Sequence, residues 1–198
     1  MTPEDKAAIA AMPWSERTFA RDSYLVREGE PASVCTFLIK GFAFRQKLVS
    51  DGARQIISIH IAGEFLDLQN SLLDVADHNV QCLTRCLVGI IHKSALLDLI
   101  AARPNVRRAL WLDSLIDSSI FREWVVNVGR RDARERIAHL LCELADCTGL
   151  TAVHTNRTLQ GLRRDGLISL SSSQLTILDW DRLAEIGDFN ERYLHHAV

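Results

Sequence analysis

The stretch Thr148–Ile168, TGLTAVHTNRTLQGLRRDGLI, carries side chains suited to reading the edges of base pairs. An asparagine amide can bond adenine bidentately, an arginine guanidinium can do the same to guanine, and small apolar groups meet the thymine methyl. Asn156, Arg157, Val153 and Ala152 supply that set at or near the leading face of one predicted helix, with Leu159 and Leu162 turned toward a core. Thr151 can cap this helix and leave its first N–H groups facing a phosphate. Three arginines and no acid fall between Thr151 and Arg164, so the helix carries local positive charge. Gly149 stands four positions after Ala145, the spacing of a helix-turn-helix, and LISL and QLTIL flank SSS as a hairpin that would form a wing.

The remaining chain has to position that helix. Its 198 residues, 47% hydrophobic and 24% charged, suffice for one large domain or two small ones with a real core. The net charge of −2 gives no global attraction for nucleic acid, so any such affinity comes from a local patch. No run of eighteen apolar residues occurs, and the start MTPEDKAAIA is unlike a signal peptide, which points to a soluble, cytoplasmic protein without a membrane partner. The cysteines at 35, 82, 86, 142 and 147 have neither CxxC spacing nor a nearby histidine cluster. They read as small buried hydrophobes rather than disulfides or metal ligands, with Cys82 and Cys86 on one face of a strand.

Thr2 and Pro3 predict a short helix running to about Ala11. Glycines at 29, 41, 52 and 63 then punctuate the β-rich runs SVCTFLI, FAFRQKLV and RQIISIHI, the rhythm of antiparallel strands wrapped into a jelly roll. In RQIISIHI, Ile57, Ile59 and Ile61 share one face, and Ser58 and His60 the other. EFLDLQNSLL interrupts as a short helix, and VQCLTRCLVGIIH resumes the strands. After a helix from Lys93 to Ala101, a long one spans roughly Asn105 to Asn127. Its residues Leu112, Ile116, Ile120, Trp124 and Val128 recur every four positions in a stripe wide enough to close the barrel on one side and meet a second copy on the other. GRRDARER reads as a charged hinge with a helix start at Asp132. RIAHLLCELA follows with Ile137, Leu140, Leu141 and Leu144 on its buried side, and WDRLAEIGDF makes a last helix. The fold class is α+β: an N-terminal β-roll over residues 1–104, a long helix over 105–130, and a C-terminal winged helix-turn-helix over 131–198.

In this order the elements resemble the Crp–Fnr family of bacterial transcription regulators over nearly the whole chain, with GLTAVHTNRTLQGLRRDGLI as the most specific motif. The resemblance implies a cyclic-nucleotide-binding-like sensor domain, a dimerisation helix, and a homodimer on a two-fold palindromic operator with half-sites about one helical turn apart. It implies that Val153, Asn156 and Arg157 read bases, and that Thr151, His154, Thr155 and Thr158 lie near phosphate or bases. Double-stranded DNA and RNA polymerase are the implied partners. Arg163 and Arg164 are expected at the backbone. Cyclic-AMP binders of the family carry Arg-Ser in the loop that holds the phosphate. Here that loop, Gly63–Asn79, has no arginine and places Asp77 where the phosphate would be received, which argues against cyclic AMP. No cysteine precedes Cys35, which argues against the iron–sulfur sensor. Asp77 and His78 form the notable ionisable pair of the loop and the candidate sensor contact. No nucleophile elbow or phosphate-cradling loop suggests an enzyme.

One departure bears on the DNA-reading half. CELA runs directly into DCTG near residues 145/146, where the family carries more of its DNA domain. Either a segment is absent from this sequence or the deletion is real. The second case would leave a small-ligand binding module with a vestigial DNA-binding domain.

Overall fold

The computed structural model of the chain describes residues 1–148, 157–171 and 174–195. It divides into two compact units, Met1–Ser118 and Ser119–Val198. The division falls inside the long helix rather than at either of its ends.

The first unit opens with α1 (Pro3–Ala10). The Thr2 hydroxyl accepts from the Asp5 N–H and the Asp5 carboxylate accepts from the Thr2 N–H, a reciprocal capping box. Seven strands follow: β1 (Ser15–Phe19), β2 (Tyr24–Val26), β3 (Val34–Lys40), β4 (Ala43–Leu48), β5 (Arg54–His60), β6 (Asn79–Cys82) and β7 (Cys86–His92). They form two antiparallel sheets, ordered β1-β7-β3 and β2-β6-β4-β5. Between the sheets lie Val26, Leu38, Leu66, Val80 and Val88. VQCLTRCLVGIIH is thus two strands that switch sheets, and Cys82 and Cys86 belong to β6 and β7 rather than to one strand face. Both sulfurs are buried, as is Cys35, and burial pushes the Cys35 and Cys82 thiols up to about 12. Gly41 makes the β3–β4 turn at φ 103°, and a Cβ there would stand 2.5 Å from the Arg85 carbonyl oxygen. The segment EFLDLQNSLL forms only a 3-10 turn, Leu68–Ser71.

The strand β5 buries the face opposite to the one its isoleucines would suggest. Ser58 and His60 are buried, while Ile57, Ile59 and Ile61 are only partly covered. The reason is pairing. Arg45 faces Ser58 and Ala43 faces His60, and directly opposed residues share a face, so the interior side of β4 fixes that of β5. Beyond these pairs the register shifts, and Gln46 faces Ile56.

Two helices complete the count, α2 (Lys93–Ala102) and the long α3 (Pro104–Gly129). In the second unit come α4 (Ala133–Thr148), α5 (Arg157–Arg164), β8 (Ile168–Ser171), β9 (Gln174–Ile177) and α6 (Trp180–Gly187). The α4 helix passes without a break through the 145/146 junction. Asp132 starts it by accepting from the N–H groups of Arg134 and Glu135, with Glu135 accepting from Asp132 in return. Leu159 and Leu162 on α5 pack with Ala138, Leu141, Ile168 and Leu183 as one core. The buried side of α4 also takes in His139 and Glu143, which no apolar periodicity announces.

The α4–α6 contact is close. A Cβ on Gly187 would lie 2.5 Å from the His139 backbone nitrogen. Gly187→Ala is therefore expected to lower stability by roughly 2 kcal/mol or more through overpacking. Denaturant titration of the purified variant checks it, and an unchanged midpoint would contradict the packing described.

Candidate nucleic-acid interface and sensor cavity

The DNA-reading half is framed by α4, α5 and the β8–β9 hairpin. In the last turn of α5, Arg163 and Arg164 are exposed, while Leu159 and Leu162 are buried. The hairpin pairs Ile168 with Ile177 and Ser171 with Gln174. Val153, Asn156, Thr151, His154 and Thr155 lie outside the described residues, as do the side chains of Arg157 and Thr158. The helix that carries them is seen from Arg157 onward. Arg134 at the start of α4 bonds Asp165 just after α5, fastening the far end of that helix and holding the Asp165 carboxyl below its ordinary range.

The segment GRRDARER is a fixed corner rather than a hinge. Arg131 is buried and donates to Glu123 (2.7 Å) and to the Asp188 carbonyl (3.1 Å). Glu143 accepts from Trp124 Nε1 (2.9 Å) and from the Tyr193 hydroxyl, and the His139 ring meets that hydroxyl (3.1 Å) and the Gly187 carbonyl (3.1 Å). Trp124 is therefore a core residue of its own chain, not part of an exposed seam. Leu112 and Val128 are exposed and Ile116 and Ile120 half-buried, while Trp111, Leu115, Phe121 and Val125 extend the exposed apolar surface.

The first unit holds a cavity of about 200 Å³ lined by Arg45, Phe65, Leu68, Gln69, Asp113, Ser114, Asp117 and Ser118. Arg45 on β4 is 8% exposed, donates to Asp117 (2.9 Å) and to the Leu66 carbonyl (3.2 Å), and has an unpartnered Nε. Asp113 keeps an exposed outer side. The surrounding barrel still strips enough water from it, with the charges of Asp117 and Glu64 adding, that its carboxyl is pushed up to about 6. His60 bridges Ser58 (3.0 Å) and Glu64 (2.9 Å).

The pair Asp77–His78 does not line this cavity. Asp77 is exposed, and its hydrogen bond to His78 (2.6 Å) holds its carboxyl low. His78 is buried, which together with the Arg45 charge holds its ring below the ordinary range. It touches Gln69, one layer behind the lining. Sequence reasoning missed Arg45, Asp113 and Asp117. The available signals were an arginine directly after the apolar pair Ala43–Phe44 of a β-rich run and two acids one helical turn apart.

A cyclic nucleotide-binding domain family matches residues 16–103, and a Crp-like helix-turn-helix domain family matches residues 134–186. The chain belongs to the Crp–Fnr family. It is 23% identical over 197 residues to the transcriptional activator protein FnrL of Cereibacter sphaeroides, covering 85% of this chain and 79% of that one. It is 24% identical over 196 residues to the nitrogen fixation regulation protein FixK of Azorhizobium caulinodans, covering 87% and 78%. The solved structure of FixK2 from Bradyrhizobium japonicum superposes with a TM-score of 0.81 at 22% identity, over 88% of this chain and 98% of that one. The chain is a DNA-binding transcription regulator, and its relatives are regulators rather than enzymes. The helix-turn-helix match spans the 145/146 junction, which favours this function over a ligand module with a vestigial DNA half.

The cavity does not fit the ligand its first domain family is named for. Its one arginine is already held by Asp117, two carboxylates border it, and its volume lies below the roughly 300–1,000 Å³ of drug-sized sites.

Beside the cavity, Asp67 is buried and accepts from the Thr36 N–H (2.7 Å), yet burial pushes its carboxyl up to about 6. A carboxyl raised above its unfolded value of 3.8 favours folding below that value and loses the benefit as pH rises through 6. Asp67→Asn keeps the acceptor and removes the charge. It should be more stable than the parent at pH 8 by on the order of 3 kcal/mol, with the gain vanishing below about pH 4. Denaturation midpoints across pH check this. A constant difference would refute it.

Proposed function

We propose that the chain acts as a homodimer on a palindromic operator, with Val153, Asn156 and Arg157 reading bases and Thr151, His154, Thr155, Thr158, Arg163 and Arg164 near the backbone. The supporting observation is the Crp-like helix-turn-helix match over 134–186 together with α5, whose buried leucines leave Arg163 and Arg164 outward. Residues 1–104 serve as the sensor domain, 105–130 as the dimerisation helix and 131–198 as the DNA-binding domain. Contact with RNA polymerase follows from the same role, and the cytoplasm is the compartment where the operator is found. No helix among the described residues is long and apolar enough to cross a membrane. The abrupt 145/146 junction reflects a segment omitted from this sequence. The length of the gene product across it tests that reading.

An operator selected from random palindromes allows affinity to be followed by fluorescence anisotropy against salt. Arg163→Ala or Arg164→Ala should weaken all sequences alike and lower the salt slope by about one unit. Arg157→Ala should relax base preference by roughly 1–3 kcal/mol at one position. Three variants that bind like the parent would remove α5 from the interface.

The exposed apolar residues of α3 point to the seam of the dimer. Trp111 is 68% exposed and Val125 52%, and covering such surface yields about 25 cal/mol per Å². Val125→Glu should convert the dimer to a monomer in analytical ultracentrifugation while the thermal transition persists. A dimer unaffected by Leu112→Glu and Val125→Glu together would place the interface elsewhere.

A further inference from the structure

Two helices of the second unit each end on the charge that their own dipole disfavours. Arg134 stands in the first turn of α4, beside its positive end, and Asp165 follows the last turn of α5, beside its negative end. The two side chains are bonded to each other, Arg134 Nη2 donating to Asp165 Oδ2. Neither helix gains locally from its residue, so what the two charges gain comes from this contact between helices. Other arginines near the carboxylate do not share the task. Arg164 approaches its Oδ1 at 4.0 Å, but it belongs to α5 itself and cannot set that helix against another. Arg182 on α6 adds only its charge.

Both ends of this link are stiff. At α4 the Asp132 carboxylate caps the helix, accepting from the Arg134 N–H (2.7 Å) and the Glu135 N–H (2.9 Å). The end of α5 is a Schellman turn. There the Leu167 N–H donates to the Leu162 carbonyl (3.0 Å) and the Gly166 N–H to the Arg163 carbonyl (3.0 Å), with Gly166 at φ 73° and both leucines buried. Asp165 is the capping residue inside that turn. Apolar contact alone leaves the helix less well determined. Among the described residues of α5, only Leu159 and Leu162 are buried, one turn apart. Burial is non-directional, so it settles which side of α5 faces the core and tolerates small changes of pitch. A charge-assisted hydrogen bond between two fixed helix ends is directional and does not.

We infer that Arg134 and Asp165 are positioning residues for base reading, their ion pair setting the pitch at which α5 meets the base edges. This role rests on the reading of α5 as the recognition helix. The pair acts through the helix and touches no base. Bidentate bonds to bases tolerate little displacement, whereas attraction to phosphates is less demanding of geometry. Loss of the pair therefore lowers sequence discrimination and spares general affinity for DNA. Fold stability changes little, because both side chains are partly exposed, 41% for Arg134 and 30% for Asp165.

The test is the ratio of affinities of the full chain for the selected operator and for a scrambled duplex, read by fluorescence anisotropy at one salt concentration. Arg134→Gln and Asp165→Asn should each lower that ratio by about tenfold, with the parent's melting profile kept. Acting as charges alone, they would shift affinity for both duplexes in opposite directions, the first weakening and the second strengthening, and leave the ratio unchanged. The exchange Arg134→Glu with Asp165→Arg restores a pair of similar reach and puts each charge at the helix end that favours it. It should return the ratio to within about twofold of the parent. The proposal is overturned if either single variant keeps the parent ratio, or if the exchanged chain stays as low as the single variants. Loss of the folded state in a single variant overturns it too, since the pair would then be structural. Arg157→Ala in the same assay separates this role from the reading beneath it. If that variant loses discrimination while the pair variants do not, the pair alone is refuted. If it keeps the parent ratio, α5 is not the reading helix and both fall.

Discussion

A guanidinium inside a β-roll must find acceptors, and much of the first unit is arranged around that demand. Taking a guanidinium charge out of water is costly, so the burial of Arg45 requires a counter-charge and a carbonyl. Asp117 and Leu66 meet this need, and the first brings one turn of α3 to the barrel at a defined position. The demand spreads along the sheet. Because Arg45 points inward, its cross-strand partner Ser58 does too, and His60 follows two residues on. A polar interior line is the result, with Glu64 meeting the His60 ring at its end.

The second unit uses buried charge in a similar manner. Arg131 draws Glu123 and the Asp188 carbonyl together, and Glu143 gathers Trp124 and Tyr193. A buried ion pair is weak evidence for stability, since desolvation offsets much of the attraction. Its geometric effect is stronger, because a misplaced partner leaves an unpaired charge. The last turns of α3, the start of α4 and the end of α6 are held in one register by such pairs, while the leucines of α4 and α5 fill the volume between them. Apolar contact supplies adhesion, and charge supplies position.

The architecture was legible because it is written in short periods. Turn glycines at eleven- and twelve-residue intervals marked the barrel, Leu159 and Leu162 gave the back of α5, and Thr2 and Asp132 announced their helices. The cavity was not legible, because its residues are far apart in the chain. Arg45 becomes a lining residue only once β4 meets α3, 72 positions later. Periodicity also misjudged β5, where three isoleucines suggested the core face and strand pairing chose the other. Trp124 fits an apolar stripe by spacing. Its indole N–H, which must find an acceptor when buried, is what drew it to Glu143.

The sulfur chemistry of the barrel has a further consequence. With Cys35 and Cys82 pushed to about 12, hardly any thiolate exists at neutral pH, and the thiolate is the species that attacks peroxides and disulfides. Both sulfurs also sit behind the packed sheets. They are shielded twice, by access and by nucleophilicity, so these two positions should age slowly in air and resist alkylating reagents while the fold is intact. Their labelling would then serve as a clock for unfolding, each modified thiol recording that the barrel had opened.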